Sequence, residues 1–274
     1  MRFISFTHNG KAGWGRDEGD HVIDLSSHAP DLKSAIAAGQ LSAALSGPQL
    51  ARSEIRLLPV IPNPAKILCV GHNYEAHRVE TGRVATSFPS IFTRFADTLI
   101  GADDPIVLPK ASSNLDYEAE LAVVIGKGGR NIALADAMSH VAGLSCFNDA
   151  SIRDWQWHSQ QFTPGKNFPG TGAFGPALVT LDEIDDLDAV RVQSILNGAV
   201  MQSATLDHML FSIPVIINYI SQFTPLSPGD VIATGTPGGV GAKRTPPVWM
   251  KAGDEIVVEV SGIGRIASRI VAEA

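Results

Sequence analysis

The stretch LDYEAELAVVIG, residues 115–126, joins a short acidic segment to an apolar run. The β-branched residues 123–125 predict a buried strand that ends at the following glycine. Side chains alternate along a strand, so continuing it backwards puts Glu118 and Glu120 on one face. Two carboxylates side by side at a hydrophobic strand repel each other and lose hydration. A bound cation would remove both costs.

A second loop supplies a third carboxylate. Asp149 lies in the segment FNDAS, residues 147–151, which follows the apolar run 141–147. Three carboxylates without Cys or His favour a hard cation, so we predict Mg²⁺ or Mn²⁺ before Zn²⁺, with Ca²⁺ less suited. The alternative is a solvated strand edge, which would be the better interpretation of an isolated Glu-x-Glu. The surrounding sequence favours the metal.

Composition limits the classes of protein. The 274 residues suffice for one large domain, or one with a small appendage, and 45% are hydrophobic against 18% charged. Acidic residues number 28 and basic residues 21, a net charge of -7 without any basic block. This pattern predicts neither nucleic acid nor an anionic membrane as a partner.

The expected compartment is the cytoplasm. Cys69 and Cys146 both lie in apolar, strand-like contexts and predict buried free thiols in a reducing environment. The N-terminus lacks the apolar core of a signal peptide. The longest apolar stretch, 209–220, is short and interrupted, so no membrane span is expected.

Two parts of the chain are predicted. Residues 1–62 form a small N-terminal α/β domain that ends in a proline-rich linker, and residues 63–274 form the catalytic domain. Many short strands with glycine-rich turns predict an α+β, mainly β architecture. Asn197-Gly198 predicts a type I′ hairpin turn, and 207–221 predicts a helix kinked near Pro214.

Histidine and glutamate share a face of a short predicted helix. The segment 73–82 begins near an asparagine and ends at a glycine, and His77 and Glu80 are three residues apart in it. A carboxylate beside an imidazole raises its basicity and fixes its tautomer, as a general base requires. The alternative is an incidental pair on a surface helix.

Other polar residues are substrate-binding candidates. Arg94 is the strong cation of an apolar strand and would bind a substrate carboxylate or pair with a structural acid. Lys166, in a turn-rich loop, would stabilise an enolate or remain exposed to solvent. The glycine-rich segment 235–241 lacks the ending of a P-loop, but its amides and Thr236 would suit a carboxylate.

The chain from about Lys66 to the C-terminus resembles the fumarylacetoacetate hydrolase family. The motifs that carry the resemblance occur in the family's order: VGHNY with His77 and Glu80, DYEAE at 116–120, NDAS with Arg153, Asp154 and Gln156, then Lys166 and the segment 229–241. Singly each motif is weak, but jointly they are specific. Two positions depart from the common pattern: Arg94 stands where many members have lysine, and His72 where arginine or leucine is common.

The resemblance implies a β-sandwich-like roll of mixed sheets, usually a homodimer, that holds one Mg²⁺ or Mn²⁺ per subunit. By motif position, Glu118, Glu120 and Asp149 would hold the metal, and His77 and Glu80 would form a water-activating dyad on a mobile lid. Residues implied or predicted to contact substrate are Lys166, Gln156, Thr236, Arg94, Tyr117 and Arg153, with Lys166 also counted as catalytic.

Three functions compete. The preferred one is hydrolysis of a C–C bond in a β-dicarbonyl 2-oxo acid, of the acylpyruvate or fumarylpyruvate class, by water that His77 activates. An isomerase or decarboxylase of 2-oxo or 2-hydroxymuconate-type acids or oxaloacetate would share the enolate-stabilising residues and omit the water. A non-catalytic 2-oxo acid binding protein is the third possibility. In every case the partner is a small 2-oxo or dicarboxylic acid.

Overall fold

The strand predicted within 115–126 lies at the centre of the largest sheet. The computed structural model describes all of residues 1–274. The strands are β1 (Arg2–His8), β2 (Lys11–Asp17), β3 (His21–Asp24), β4 (Gln49–Ala51), β5 (Ile55–Leu57), β6 (Ile67–Gly71), β7 (Ser90–Arg94), β8 (Leu99–Ile100), β9 (Ile106–Leu108), β10 (Leu115–Asp116), β11 (Ala119–Ile125), β12 (Val141–Asp149), β13 (Ser151–Ile152), β14 (Gly172–Val179), β15 (Arg191–Leu196), β16 (Ala199–Thr205), β17 (Val231–Ala233), β18 (Glu255–Val260) and β19 (Gly264–Ala272).

Helices are few and short. The α-helices are α1 (Leu32–Ala37), α2 (Glu75–Glu80), α3 (Arg153–Gln156), α4 (Thr163–Lys166) and α5 (Ile213–Phe223). Single 3-10 segments cover Arg52–Glu54, Ala96–Thr98, Leu134–His140, Leu181–Glu183, Leu206–His208 and Gly241–Lys243. The predicted α+β, mainly β class is confirmed. None of the helices has the length and apolar character that crossing a membrane requires.

Three sheets make up the fold. The main sheet runs β4-β3-β2-β1-β14-β12-β11-β17-β6-β7, with β5 beside β1 and β8 beside β14. A second sheet runs β16-β15-β18-β19-β9, and β10 pairs with β13. Most pairs are antiparallel, but β17 with β6, β14 with β8 and β19 with β9 are parallel. The second sheet packs on the main one through β15, β18 and β19.

Strand β11 separates two hydrophobic cores. Leu121, Val123 and Ile125 belong to the cluster that α5 and the second sheet cover, whereas Ala122 and Val124 face the other cluster. All seven residues of β11 are buried. A strand covered on both faces needs apolar residues at every position, which explains the unbroken run in the sequence.

The first 62 residues share both sheet and core with the rest of the chain. Strand β1 pairs with β14, where Arg2 lies opposite Val179. Phe3 and Trp14 pack in the same cluster as Phe147. The division at residue 62 stays a prediction, and its two parts are joined by a continuous sheet.

Turn chemistry accounts for the ends of several elements. Asn197 and Gly198 have φ angles of 49° and 83°, in agreement with the predicted type I′ turn between β15 and β16. The helix predicted over 207–221 begins only at Ile213, as α5. Pro214 therefore lies in its first turn, where the missing N–H costs nothing, and the expected kink is wrong.

Candidate active site

Strand pairing brings the three predicted metal ligands together. Glu120 lies opposite Phe147 in the β11–β12 ladder, so the start of β11 adjoins the end of β12, where Asp149 lies. The amide of Asp149 donates to the carbonyl of Glu118 at 2.9 Å. All three side chains are buried, and one oxygen from each lies within 4.8 Å of the others.

The acidic stretch is not one continuous strand, as the alternation argument assumed. Strand β10 pairs with β13. The strand conformation is interrupted at residues 117–118, and β11 starts at Ala119. The amide of Glu118 donates to Oδ1 of Asn148 at 3.2 Å, which fixes the break against β12. Glu118 and Glu120 still converge, because this break turns Glu118 toward the same cavity.

Buried cations neutralise two of the three carboxylates. Lys166 Nζ lies 2.6 Å from Glu118 Oε2 and 2.6 Å from Asp149 Oδ2. Arg153 pairs with Glu118 Oε1 at 2.7 Å, and Arg94 pairs with Asp149 Oδ1 at 2.5 Å. Burial alone would raise the pKa of Glu118, but Lys166 and Arg153 outweigh it and hold that pKa well below its usual range.

Glu120 lacks such a partner. Its Oε2 accepts one hydrogen bond, from the amide of Gly235 at 2.9 Å, and it makes no ion pair. Burial, and then the carboxylates of Asp149 and Glu118, raise its pKa well above the ordinary value. A carboxylate so placed is stabilised as an anion only when another cation joins the cluster.

The charges and donor types of the site fit a divalent metal ion. Together with Asp116, four buried carboxylates face three buried cations, Arg94, Arg153 and Lys166, which leaves one negative charge uncompensated. A divalent ion held by the three oxygen donors would change the net charge of the cluster from -1 to +1, which suits an anionic substrate. All-oxygen ligation is typical of Mg²⁺ and Mn²⁺.

The predicted histidine–glutamate pair forms beside this cluster. His77 Nδ1 lies 2.7 Å from Glu80 Oε1, and Glu80 Oε2 accepts the amide of Gly239 at 2.8 Å. A carboxylate at Nδ1 keeps the proton there and leaves Nε2 as the basic atom. His77 is buried and lines the cavity, so its imidazole is not an incidental surface group.

A second imidazole stacks on the first. The rings of His72 and His77 are 5.3 Å apart between centroids and 15° from parallel. His72 has a φ of 56°, in the left-handed region, which histidine visits more readily than most residues. Burial, and then the neighbouring His77, lower the pKa of His72 to about 4. His72 is therefore neutral near pH 7.

Most predicted site residues surround one cavity of about 340 Å³, a size typical of small-molecule sites. Those that line it are His77, Glu118, Glu120, Arg153, Gln156, Lys166 and Thr236. Glu80 reaches the cavity only through His77, and Asp149 lies behind Lys166. The roles of these residues stay predictions.

Two candidate substrate contacts lie outside the cavity. Arg94 is buried, and besides Asp149 it donates to the carbonyl of Ala150 at 3.1 Å and to Thr171 Oγ1 at 2.6 Å. In the structure Arg94 thus pairs with a buried acid of the protein, and its predicted contact with substrate stays a prediction. Tyr117 is fully buried and donates to the carbonyl of Gly239 at 3.1 Å, so it supports the 235–241 loop.

Several cavity residues were not predicted from the sequence. The opening is lined by Arg83, Trp157, Phe162 and Lys243. Phe92 lies deeper, with its ring centroid 5.1 Å from Lys166 Nζ. Each belongs to a loop or strand without a recognisable motif. The available signal was proximity in sequence, because each of the five lies within seven residues of a predicted site residue.

The chain belongs to the fumarylacetoacetate hydrolase family. The family model for the fumarylacetoacetate (FAA) hydrolase C-terminal domain matches residues 66–271. Oxaloacetate tautomerase FAHD2A, mitochondrial, from Bos taurus is 39% identical over 288 aligned positions, covering 99% of this chain and 92% of the relative. The resemblance seen in the sequence is thereby confirmed.

Solved structures agree with this assignment. A fumarylacetoacetate hydrolase from Exiguobacterium antarcticum is 35% identical with a TM-score of 0.89 and full coverage of both chains. Maleylpyruvate hydrolase from Sphingobium sp. SYK-6, in complex with manganese(II) and pyruvate, is 28% identical with a TM-score of 0.83, again with full coverage of both. The family fold extends over the whole chain, including residues 1–62.

Proposed function

We propose that this protein is a metal-dependent tautomerase that interconverts the keto and enol forms of oxaloacetate or a similar 2-oxo dicarboxylic acid. The observation that carries the proposal is the cluster of three buried carboxylates with one uncompensated charge, which opens into the cavity beside His77. The 39% identity to an oxaloacetate tautomerase supports this reaction over the hydrolysis preferred from the sequence alone.

Glu118, Glu120 and Asp149 would hold a divalent ion, Mg²⁺ or Mn²⁺. When bound, such an ion supplies Lewis-acid polarisation of the 2-oxo group and makes the neighbouring C–H more acidic. Lys166 remains cationic beside it: burial lowers its pKa, but Asp149 and Glu118 outweigh that effect and raise it. Its ammonium group therefore stabilises negative charge that develops on the substrate oxygen.

Substrate is oriented by neutral and cationic donors. Gln156 Oε1 accepts from Arg153 Nη1 at 2.9 Å, which turns the amide nitrogen of Gln156 away from Arg153 and leaves its hydrogens for a substrate carboxylate. Thr236 Oγ1 is already bonded to Gln202 Nε2 at 2.7 Å and to the carbonyl of Ala119 at 2.9 Å. Because the hydroxyl proton of Thr236 is donated to Ala119, Thr236 shapes the cavity wall and does not donate to substrate.

His77 transfers the proton. Its Nε2 accepts a proton from the carbon next to the 2-oxo group, while Glu80 stabilises the imidazolium through Nδ1–H. The same proton then goes to the enolate oxygen, which gives the enol without change of mass. The reverse sequence gives the keto form.

The test is enol–keto interconversion of oxaloacetate, followed by ultraviolet absorbance on protein stripped of metal and then reloaded with Mg²⁺ or Mn²⁺. We expect metal-dependent acceleration, and a loss of about 10²- to 10⁴-fold in His77→Gln. Val79→Ala, on the exposed side of α2, is the matched control. A rate of interconversion that changes neither on removal of the metal nor in His77→Gln would refute the proposal.

Hydrolysis of an acylpyruvate is the second candidate, because the same His77–Glu80 pair suits activation of water. Mass spectrometry on acylpyruvates, fumarylpyruvate and oxaloacetate separates the candidates. Pyruvate with a carboxylic acid indicates hydrolysis, and CO₂ indicates decarboxylation. Binding of 2-oxo acids without turnover of any of them would indicate a binding protein.

Assembly and location also remain predictions. Light scattering in solution tests the homodimer that the family resemblance implies. The cytoplasmic location is open to direct test by fractionation, and the bovine relative is mitochondrial by name.

A further inference from the structure

Two cations at the opening of the cavity have no carboxylate partner. Of the four lysine and arginine side chains that line it, Arg153 and Lys166 are in ion pairs with the buried acids. Arg83 and Lys243 are exposed and form no salt bridge. In a chain of net charge -7, two unpaired cations at one cavity opening form a local positive region.

Aromatic rings position both cations without neutralising them. The Arg83 guanidinium lies 5.9 Å from the centroid of Phe162, and Lys243 Nζ lies 5.6 Å from that of Trp157. Both rings come from the loop 157–162 that connects α3 with α4. Trp157 is 50% exposed, so its ring lies at the outer edge of the cavity lining.

The backbones that carry these cations are tied to the inner site. Lys243 ends the turn Gly241–Lys243, whose first two amides donate to Asp116 at 2.8 and 3.0 Å. Asp116 in turn accepts from Arg153 Nε at 2.8 Å. Arg83 follows α2, which Glu80 anchors to the amide of Gly239. The backbone that carries each cation is therefore held relative to the carboxylate cluster.

We propose that Arg83 and Lys243 form an outer anion subsite that binds the second carboxylate of a 2-oxo dicarboxylic acid. The inference rests on the proposed function, which assigns the 2-oxo acid end of the substrate to the inner site. A substrate with a second carboxylate would bridge the two sites. One with an apolar tail would leave both cations solvated and would gain nothing from them.

The test compares ligands that differ only in the distal carboxylate: 2-oxoglutarate with 2-oxopentanoate, and 2-oxoadipate with 2-oxohexanoate. Calorimetric titration of the Mn²⁺-loaded protein gives their dissociation constants. We expect at least one dicarboxylate to bind about tenfold more tightly than the matched monocarboxylate, the gain typical of a charge-assisted contact. This ratio of dissociation constants should decrease at high salt. No preference in either pair would overturn the proposal.

Variants then assign the preference to the two residues. Lys243→Met and Arg83→Gln should each reduce it severalfold and leave monocarboxylate binding unchanged. Lys251→Met and Arg265→Gln, at exposed residues that do not line the cavity, should change neither the preference nor monocarboxylate binding. If the Lys243 and Arg83 variants weaken both ligands of a pair equally, or neither, the subsite is wrong.

Failure of the subsite and failure of the proposed function give different results. Wild-type protein that interconverts enol and keto oxaloacetate but shows no dicarboxylate preference retains the function and loses the subsite. Protein without tautomerase activity that still shows the preference, with its loss in Lys243→Met, retains the subsite and loses the function.

Discussion

At the scale of single residues, the balance of charge around Glu120 decides what the site does. Glu118 and Asp149 each contact cations of the protein itself, and Glu120 does not. Removing one member of a buried ion pair is costly, whereas removing an uncompensated buried charge is not. Variants of two glutamates two residues apart should therefore behave oppositely.

The first prediction concerns these two glutamates. In metal-free protein, Glu120→Gln should raise the melting temperature, because it removes a carboxyl group whose ionised form is disfavoured by burial and by the neighbouring carboxylates. Glu118→Gln should lower the free energy of unfolding by about 2 kcal/mol, because Lys166 and Arg153 each lose a partner. Both should abolish the added stability that Mn²⁺ confers. Thermal melts with and without Mn²⁺ measure this, and shifts of equal sign in the metal-free melts would contradict it.

The second prediction concerns His72 and pH. Its pKa is lowered from 6.5 to about 4 in the folded protein, so the unfolded chain binds the proton more readily. The resulting stability is complete above pH 6.5 and is lost as the pH falls toward 4. His72→Asn, which tolerates a φ of 56°, should lose less stability across that window than wild type.

Urea unfolding at several pH values measures this difference. The groups that act on His72 are His77, Glu118, Arg83 and Lys166, and all four are retained in the variant. Comparison with wild type therefore isolates the titration of His72. Identical pH profiles for the two proteins would mean that His72 titrates normally.

At the scale of elements, two four-residue helices contribute three of the polar side chains that line the cavity. Helix α3 contributes Arg153 and Gln156, and α4 contributes Lys166. They pack so closely that a Cβ on Gly165 would lie 2.4 Å from the Gln156 nitrogen and 2.5 Å from its Cα. Glycine is required there by the close approach of backbones.

The third prediction follows from this contact. Gly165→Ala should separate α3 from α4, displace Gln156 and Lys166, and lower the free energy of unfolding by about 1–3 kcal/mol. We expect at least a tenfold loss in kcat/KM, since small displacements of positioning groups are costly. Gln161→Ala, exposed in the same loop, is the control for denaturant unfolding and kinetics. Wild-type activity in Gly165→Ala would show that the two helices tolerate separation.

At the scale of the whole molecule, the N-terminal strands are part of the main sheet. Strand β1 covers the edge of β14, and Trp14 lies fully buried in a core that includes Phe147 and Phe174. A division of the chain at residue 62 leaves that strand edge and those aromatic rings exposed. Exposed strand edges promote aggregation.

The fourth prediction is that residues 63–274 alone do not form a stable soluble protein. Loss of residues 1–62 removes ten of the 19 buried residues of that core, and the remaining nine lose their cover. Circular dichroism melting of the truncated and full-length chains measures this. A cooperative melt with retained Mn²⁺ binding would show instead that the residue 62 boundary separates an autonomous domain.

Features that depend on neighbouring residues were predicted better than features that depend on contacts between residues far apart in the chain. The β11 strand, the Asn197-Gly198 turn and the His77–Glu80 pair each depend on residues within a few positions of one another, and all three form as expected. The kink at Pro214 was wrong because the helix start depends on how the preceding loop packs. The role of Arg94 was left open between two alternatives, because sequence does not reveal which acid lies nearest.

By itself, the sequence determined the mainly β class, the family, and which three carboxylates meet near β11 and β12, because composition and motif order are properties of the chain alone. Only the tertiary structure decided how the charges are shared. It paired Arg94 with Asp149 and Lys166 with two carboxylates, left Glu120 without a cation, and set Arg83 and Lys243 at the cavity opening. These relations join residues far apart in the chain, and Coulomb interactions depend on distance and burial in space.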